Sequence, residues 1–309
     1  MRNYMIRRVG HSVFIILGLM ALLFFATNVL GDPIDLLVSE DATEEAVEAL
    51  RQHYGYDRPM YVRFADFFGH FLIGDFDRSL RFRGPARGLV VEKLPNTAAL
   101  ALVAWGIGMV GIPIGMLAAR RPRGFMDRLV NILSFAIISI PDFWLALMLI
   151  LIIALQFDLL PTSGFTGLGP SGWKYIILPA LALSPRVLGR NAQITRATMI
   201  EEMGKQYVAT ARSKGLAENT LLYTHVLKNA AISIVTLMGD ELAGFMNGAT
   251  ITETIFGWPG LGKLLIDSIN ARDLPVITAT VFVVALMVML INVVVDLIYT
   301  YLDPRIQYK

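Results

Sequence analysis

The chain has 309 residues, 55% of them hydrophobic and 17% charged, where a soluble domain carries roughly 25% charged residues. Net charge is +2, mean hydropathy is +0.58 and there is no cysteine. That excludes disulfides, thiolate chemistry and cysteine-held metal centres, and leaves no basic footprint for nucleic acid; the apolar surplus has to face membrane lipid.

A helix needs about 20 mostly apolar residues to cross a bilayer core. Residues 9–30 supply the first such run, behind Arg2, Arg7 and Arg8. A cleaved signal peptide has the same basic flank. Its apolar core is shorter, about 7–15 residues, and Ala26-Thr27-Asn28 is not a small-x-small cleavage site, so the run reads as a span. The segment 31–96 then reads as a structured loop. Asp41 with Glu44 forms a capping box, Ala46, Val47 and Leu50 a short helical stripe, and Gly55 a stop. Phe64, Phe67, Phe68 and Phe71 make a second stripe, suited to packing on the membrane surface or on another span.

Further runs follow at 97–119, at 129–157 with Pro141-Asp142 inside, and at 277–302 with Asp296 near its end. Two weaker ones start at Tyr175, broken by Pro179, Pro185 and Arg186, and at Ala230, where Asp240, Glu241, Asn247 and Glu253 interrupt the stretch to Phe256. The expectation is an all-α membrane protein with six transmembrane helices. Lys and Arg concentrate before the first run, at 120–128, at 186–228 and at Arg305 and Lys309, so both termini are expected in the cytoplasm. The 31–96 loop, with eight Lys/Arg, then lies outside, as long loops translocate largely regardless of charge.

The cytoplasmic stretch 186–230 is the unusual one. Arg196 to Arg212 read as polar helix, Gly215 interrupts, and Leu216 to Leu227 resumes. A long loop with its own helices is there to touch something. Ala209 and Ala211 allow close approach, Arg212 and Lys214 offer cations, and Gly215 permits a turn.

In the weaker fifth span, intramembrane carboxylates face a cavity or a partner rather than lipid. Gly244 and Gly248 lie close to the helical face of Glu241, and Asp240, Gly244 and Asn247 align similarly. Either a carboxylate here meets a cationic group on a substrate, or the pair is structural, held by a neighbouring span. Gly257 to Lys263 fits G-x-x-x-x-G-K, but Leu264 replaces the hydroxyl a P-loop needs, and a span rather than a strand precedes it. His11, His53, His70 and His225 show no metal-ligand spacing, and no catalytic residue is proposed.

Tyr207-Val-Ala-Thr-Ala-Arg-Ser-Lys-Gly-Leu216, with His225 to Ala230, resembles the EAA loop of binding-protein-dependent ABC importer permeases. Tyr4 to Arg8, Gly31-Asp32-Pro33, Tyr54 to Pro59, Gly74 to Leu80, Leu94 to Thr97, Ser139 to Phe143, Ile177 to Ala180, Phe256 to Gly262, and Asp296 to Tyr299 with Leu302 to Arg305 resemble, in order, the dipeptide/oligopeptide/nickel branch of that family. The long outer loop is similar to that of the type-B member of the permease heterodimer. The sequence departs from the family pattern at Ala209, commonly Arg, at Ser233, often Pro, and at Asp240-Glu241, usually apolar or amide.

The resemblance implies a type I ABC importer permease fold in a bacterial plasma (inner) membrane. Residues 1–30 would form the tail and first span, 31–96 the extracytoplasmic loop with short helices, and 97–309 a core of five spans with the 186–229 coupling loop. Tyr207, Ala209, Ala211, Arg212, Lys214, Gly215 and Leu216 would dock on an ATPase subunit, and Asp240, Glu241 and Asn247 would line the pathway. The implied partners are a homologous second permease, two ATPases and an extracytoplasmic solute-binding protein. ATP and Mg²⁺ would reside on the ATPases, with no cofactor on this chain. The implied cargo is di- or oligopeptide-like, with glutathione or nickel complexes in the same range. A secondary transporter or channel driven through Asp240, Glu241 and Asp296 is the rival; a membrane hydrolase lacks any nucleophile–base pair.

Overall fold

A computed structural model describes residues 2–29, 43–53 and 56–302. Asp41, Gly55 and the motif pieces at 31–33 and 303–305 lie outside these. The regular structure of the described residues is helical, with a single isolated bridge between Arg78 and Pro85. The helices are α1 (Arg2–Val29), α2 (Glu44–His53), α3 (Met60–Ile73), α4 (Ala86–Gly108), α5 (Gly111–Ala119), α6 (Phe125–Ile138), α7 (Asp142–Leu149), α8 (Trp173–Met203), α9 (Gln206–Ser213), α10 (Glu218–Thr220), α11 (Leu227–Gly248), α12 (Thr250–Ile255), α13 (Leu261–Asn270) and α14 (Leu274–Leu302). Wider π-turns extend α7 over Ile150–Gln156 and join α10 to α11 over Leu221–Val226.

Among the described residues, three stretches are long and apolar enough to cross a membrane, Ala86–Ala119, Glu218–Met246 and Leu274–Ile298. Phe125–Ile138 and Asp142–Gln156 reach that length and hydropathy only when taken together, and they bend by 91° at the break carrying Pro141. The other two expected spans fall on α1 and α8. In α1 the described apolar stretch is Val13–Phe25, and α8 carries Arg186, Arg190 and a polar end, so neither meets the same length and hydropathy on its own. One expectation is corrected outright. Pro179 and Pro185 do not break α8, which runs for 31 residues, about 46 Å, through both. A proline removes one N–H, and a neighbouring helix can cover the freed carbonyl.

The chain divides into two compact units. The larger is built on Pro95–Lys263 and the part of α14 from Met287. Within it α8 is central and packs against α5, α6, α7 and α11. Small residues allow this. A Cβ on Gly111 would sit 3.0 Å from the Ala192 nitrogen and the Asn191 Cβ, and one on Gly115 would sit 2.9 Å from the Thr195 Cβ. Gly-x-x-x-Gly on α5 therefore brings it nearly backbone to backbone with α8. Pro113 in α5 cannot continue the ladder, and Ile112 donates to Met109 rather than to Gly108. The freed Gly108 carbonyl accepts the buried Asn191 amide at 3.1 Å.

The smaller unit holds the chain from Met5 to Leu94 and Leu264–Leu286. Its aromatic stripe packs on other spans: Phe64 and Phe67 lie 5.1 and 5.4 Å from Phe24 of α1, and Phe71 lies 4.5 Å from Phe282 of α14. Gly74, φ +71°, ends α3 where the sequence turns to Gly-Asp-Phe. Buried Asp273 accepts the Ser79 hydroxyl and the Arg81 N–H, which fixes the turn after α3 against the start of α14.

Candidate functional site

The loop between α8 and α11 begins with a break that the sequence reading missed. The polar helix is not continuous from Arg196 to Arg212. It stops at Met203, where the Gly204 N–H donates back to Glu201, and Lys205 turns extended at ψ 152° before α9 starts. Glu202 fastens the corner, accepting the Lys205 ammonium at 2.5 Å and the Tyr207 hydroxyl at 2.8 Å. Burial, with that carboxylate beside it, holds the Tyr207 hydroxyl above the usual phenol range.

α9 has two faces. Val208 is fully buried, and Tyr207 and Ala211 pack beside it on a core of Ala119, Met199, Leu221, Leu222, Val226 and Ala230. These come from the ends of α5 and α8 and from the start of the α11 span, so one small cluster ties α9 to three long helices. Ala209, Thr210, Ser213 and Lys214 are exposed on the other side. Of the seven residues read from the sequence, Tyr207 and Ala211 therefore point inward, Leu216 is half-buried, and Ala209, Arg212, Lys214 and Gly215 are exposed.

The helix ends as its glycine requires. The Leu216 N–H donates to Ala211 at 3.3 Å and the Gly215 N–H to Arg212 at 2.9 Å, with Gly215 at φ +78°. This is a Schellman stop with glycine in its left-handed position. Arg212 reaches across the turn to Glu218 with two nitrogens, at 2.7 and 3.3 Å, and Arg120 donates to Asn219 at 2.8 Å. Arg212 is thus engaged inside the loop.

Within the membrane the two adjacent carboxylates of α11 part company. Glu241 is 6% exposed and pairs with Arg190 of α8 at 2.6 Å, an ion pair whose angles fall outside hydrogen-bond geometry. Glu241 thus has an ion-pair partner on a neighbouring helix. Asp240 is exposed and has no partner among the described residues. It belongs to a stripe at helical spacing, Asn229, Ser233, Thr236, Asp240 and Gly244, all exposed and all polar or small. The side chain of Asn247 lies outside those described. Asp296 is 3% exposed and takes no part in this face. Arg186, one turn from Arg190, pairs with Asp142 at 3.4 Å.

A third constellation was not legible beforehand. Glu253 of α12 is fully buried and accepts the Thr97 hydroxyl at 2.7 Å and the Lys263 N–H at 3.0 Å. The Thr97 oxygen accepts the Leu261 N–H at 2.7 Å. Together the two side chains cap α13, whose first turn follows Pro259-Gly260 and has no local capping residue. Asn96 donates to Pro259 at 2.8 Å, and the Trp258 indole donates to Asn96 at 3.0 Å. The G-x-x-x-x-G-K stretch is therefore a clamped connection between two helices, with no strand leading into it.

Residues 111–308 match the family model described as binding-protein-dependent transport system inner membrane component. The oligopeptide transport system permease protein AppB of Bacillus subtilis (strain 168) is 35% identical over 316 residues, covering 100% of both chains. The glutathione transport system permease protein GsiC of Salmonella typhimurium (strain LT2) is 35% identical over 312 residues, again covering 100% of both. Among solved structures, an inward-facing form of the MetNI methionine ABC transporter matches with TM-score 0.57 at 18% identity, over 70% of this chain and 96% of that one. An amino acid ABC transporter with histidines matches with TM-score 0.54 at 18% identity, over 68% and 92%.

Proposed function

The chain belongs to the family of inner membrane components of binding-protein-dependent transport systems, and from that premise we propose that it imports short peptides as one half of a permease pair driven through α9. It is a permease subunit and not itself an enzyme. The assembly proposed around it is a homologous second permease, two ATPases that hold ATP and Mg²⁺, and an extracytoplasmic solute-binding protein. Both termini lie in the cytoplasm, as the Lys and Arg distribution favours. The cargo class rests on relatives named for oligopeptide and glutathione transport.

The observation that carries the mechanism is the two-faced α9. Its outer face, Ala209, Thr210, Ser213 and Lys214, is open for a groove on the ATPase. Its inner face is packed into the same cluster as the ends of α5 and α8 and the start of the α11 span. Packed interiors transmit displacement because they deform little. When the ATPase dimer closes on ATP, α9 moves with it, and the three spans follow as a body, exposing the pathway to the outside. The Glu202 corner, the Arg212–Glu218 fork and the Gly215 stop keep α9 from folding away under load. The polar stripe with Asp240 is proposed to line the pathway, since an unpaired carboxylate facing lipid is costly.

Affinity purification of this chain from its native membrane in mild detergent tests the assembly. The expected co-purifying proteins are two ATPase copies and a second permease. Recovery of this chain alone, with solute uptake in proteoliposomes that needs no ATPase, contradicts the reading and supports an ion-driven carrier instead.

A further inference from the structure

Resting on the importer reading, we propose that the charges shared by α7, α8 and α11 form a two-signed site for a short peptide with both termini free. Asp240 takes the ammonium, and Arg186 and Arg190 take the carboxylate.

Asp240 lies inside the spanning stretch Glu218–Met246, about 20 Å along the helix from Leu227, and it is exposed there. One turn on, Gly244 has no side chain, and among the described residues no atom of another element lies within 4 Å of where its Cβ would be. Asp240, itself exposed, thus has open space one turn along the same helix face. Buried Glu241, its neighbour in the chain, is paired to Arg190, with Arg186 and Asp240 both in electrostatic reach. All these groups surround one side chain.

The arginines are held but not saturated. Arg190 meets Glu241 through Nη1, and Arg186 meets Asp142 through Nη2, yet each side chain remains 44% exposed. A guanidinium carries five N–H donors in a planar fork suited to a carboxylate. The two internal carboxylates hold the arginines in place, and each guanidinium keeps donors beyond the one nitrogen its pair uses. With both pairs made, Asp240 is left as one uncompensated negative charge, and the two partly open cations share the surroundings of Glu241 with it. A solute with one ammonium and one carboxylate at separate ends complements that arrangement; a solute of one sign complements only half of it. Short peptides have that separation of charge, and capping either end removes one sign without changing the rest.

The test uses the complete importer in proteoliposomes with its binding protein saturated by tetra-alanine, N-acetyl-tetra-alanine or tetra-alanine amide, loading of each being measured separately. For the wild type, ATP-driven uptake is expected to be fastest for the uncapped peptide. Asp240→Asn should slow uptake of the free and amidated peptides about tenfold or more, the effect of losing one charge-assisted hydrogen bond, and leave the acetylated peptide within about twofold. Arg186→Gln should do the reverse, slowing the free and acetylated peptides and sparing the amide. Because Arg190→Gln alone would orphan buried Glu241, that arginine is tested as Arg190→Gln with Glu241→Gln, with the same expectation as Arg186→Gln. Equal slowing of all three peptides would overturn the proposal, since it marks a contact with the second permease or a fold defect. So would no change in any. ATP-driven uptake blind to capping in the wild type overturns this site alone; absence of ATP-driven uptake of any of the three overturns the peptide-importer reading and the site with it.

Discussion

Glu253 gives the sharpest stability prediction, because its buried carboxylate has named donors from two other parts of the chain. The side chain is fully buried, as is Thr97 at 1% exposure, and the two supply the capping bonds of α13. Glu253→Ala leaves the Thr97 hydroxyl and the Lys263 N–H without acceptors. A buried donor stripped of its partner costs about 1–3 kcal/mol, so the two together amount to about 2–6 kcal/mol before any cavity is counted. Glu253→Gln keeps the shape but turns an NH₂ toward one of the two donors, for a smaller loss of about 1–3 kcal/mol. Thr97→Val orphans the Leu261 N–H and should fall in the same range. Since both side chains serve one network, the Glu253→Gln/Thr97→Val double variant should be less damaging than the sum of the singles, by about 0.5–3 kcal/mol. The assay is unfolding of the purified protein in one detergent across the four members of the cycle and the Glu253→Ala variant. Additive effects, or a Glu253→Ala variant within about 0.5 kcal/mol of wild type, would refute the capping role. Gly260→Ala should reproduce the damage by another route, because a Cβ there collides with the same carboxylate.

Three further outcomes follow from other parts of the molecule. Gly115→Ala should destabilise by about 1–3 kcal/mol, because its methyl would push into the Ala192 backbone, whereas Gly106→Ala, with nothing within 4 Å, should be neutral or gain up to about 1 kcal/mol of helix propensity; thermal unfolding of the two variants compares them directly. Gly215→Pro should leave membrane insertion intact but uncouple ATP hydrolysis from uptake, because proline fixes φ near −65° where +78° is needed and removes the N–H that bonds to Arg212; full transport in that variant would contradict the lever. Arg190→Gln should lower the yield of folded protein by leaving Glu241 charged and buried, and adding Glu241→Gln should restore it, as read by monodispersity in detergent.

Much of the helical plan was readable from the chain, and particular residues show where that stopped. Gly215 was legible because a glycine following a polar helix and opening a second one marks a left-handed stop, and it stands at φ +78°. The phenylalanine stripe of α3 was legible as a packing face, with its partners, Phe24 and Phe282, visible only in three dimensions. Pro179 and Pro185 misled because a proline's effect on a helix depends on its surroundings, and α8 is packed among α5, α6, α7 and α11. Gly204 was passed over because the charged residues around it continue a helical pattern, while the corner is set by Glu202 bonding forward to Lys205 and Tyr207. Asp240 and Glu241 were read together, as adjacent carboxylates invite. Their separation into a paired and an open group is decided by Arg190, some fifty positions earlier in the chain. The only advance sign of the Glu253 cap was negative: α13 starts after Pro-Gly without a Ser, Thr, Asp or Asn to cap it.

The claim that α9 is the contact with the ATPase can be tested through a property of the composition. The chain has no cysteine, so a single introduced one is unique within it. Ala209→Cys and Ser213→Cys place thiols on the exposed face of α9, and Leu159→Cys places one on an exposed position beyond the end of the α7 span. In the intact complex, a short bifunctional thiol–amine reagent should join the chain to the ATPase from positions 209 and 213, with a yield that changes on adding ATP, and should give no such product from position 159. An ATPase adduct that forms equally from all three positions, or from none of them while the complex stays assembled, would contradict the account.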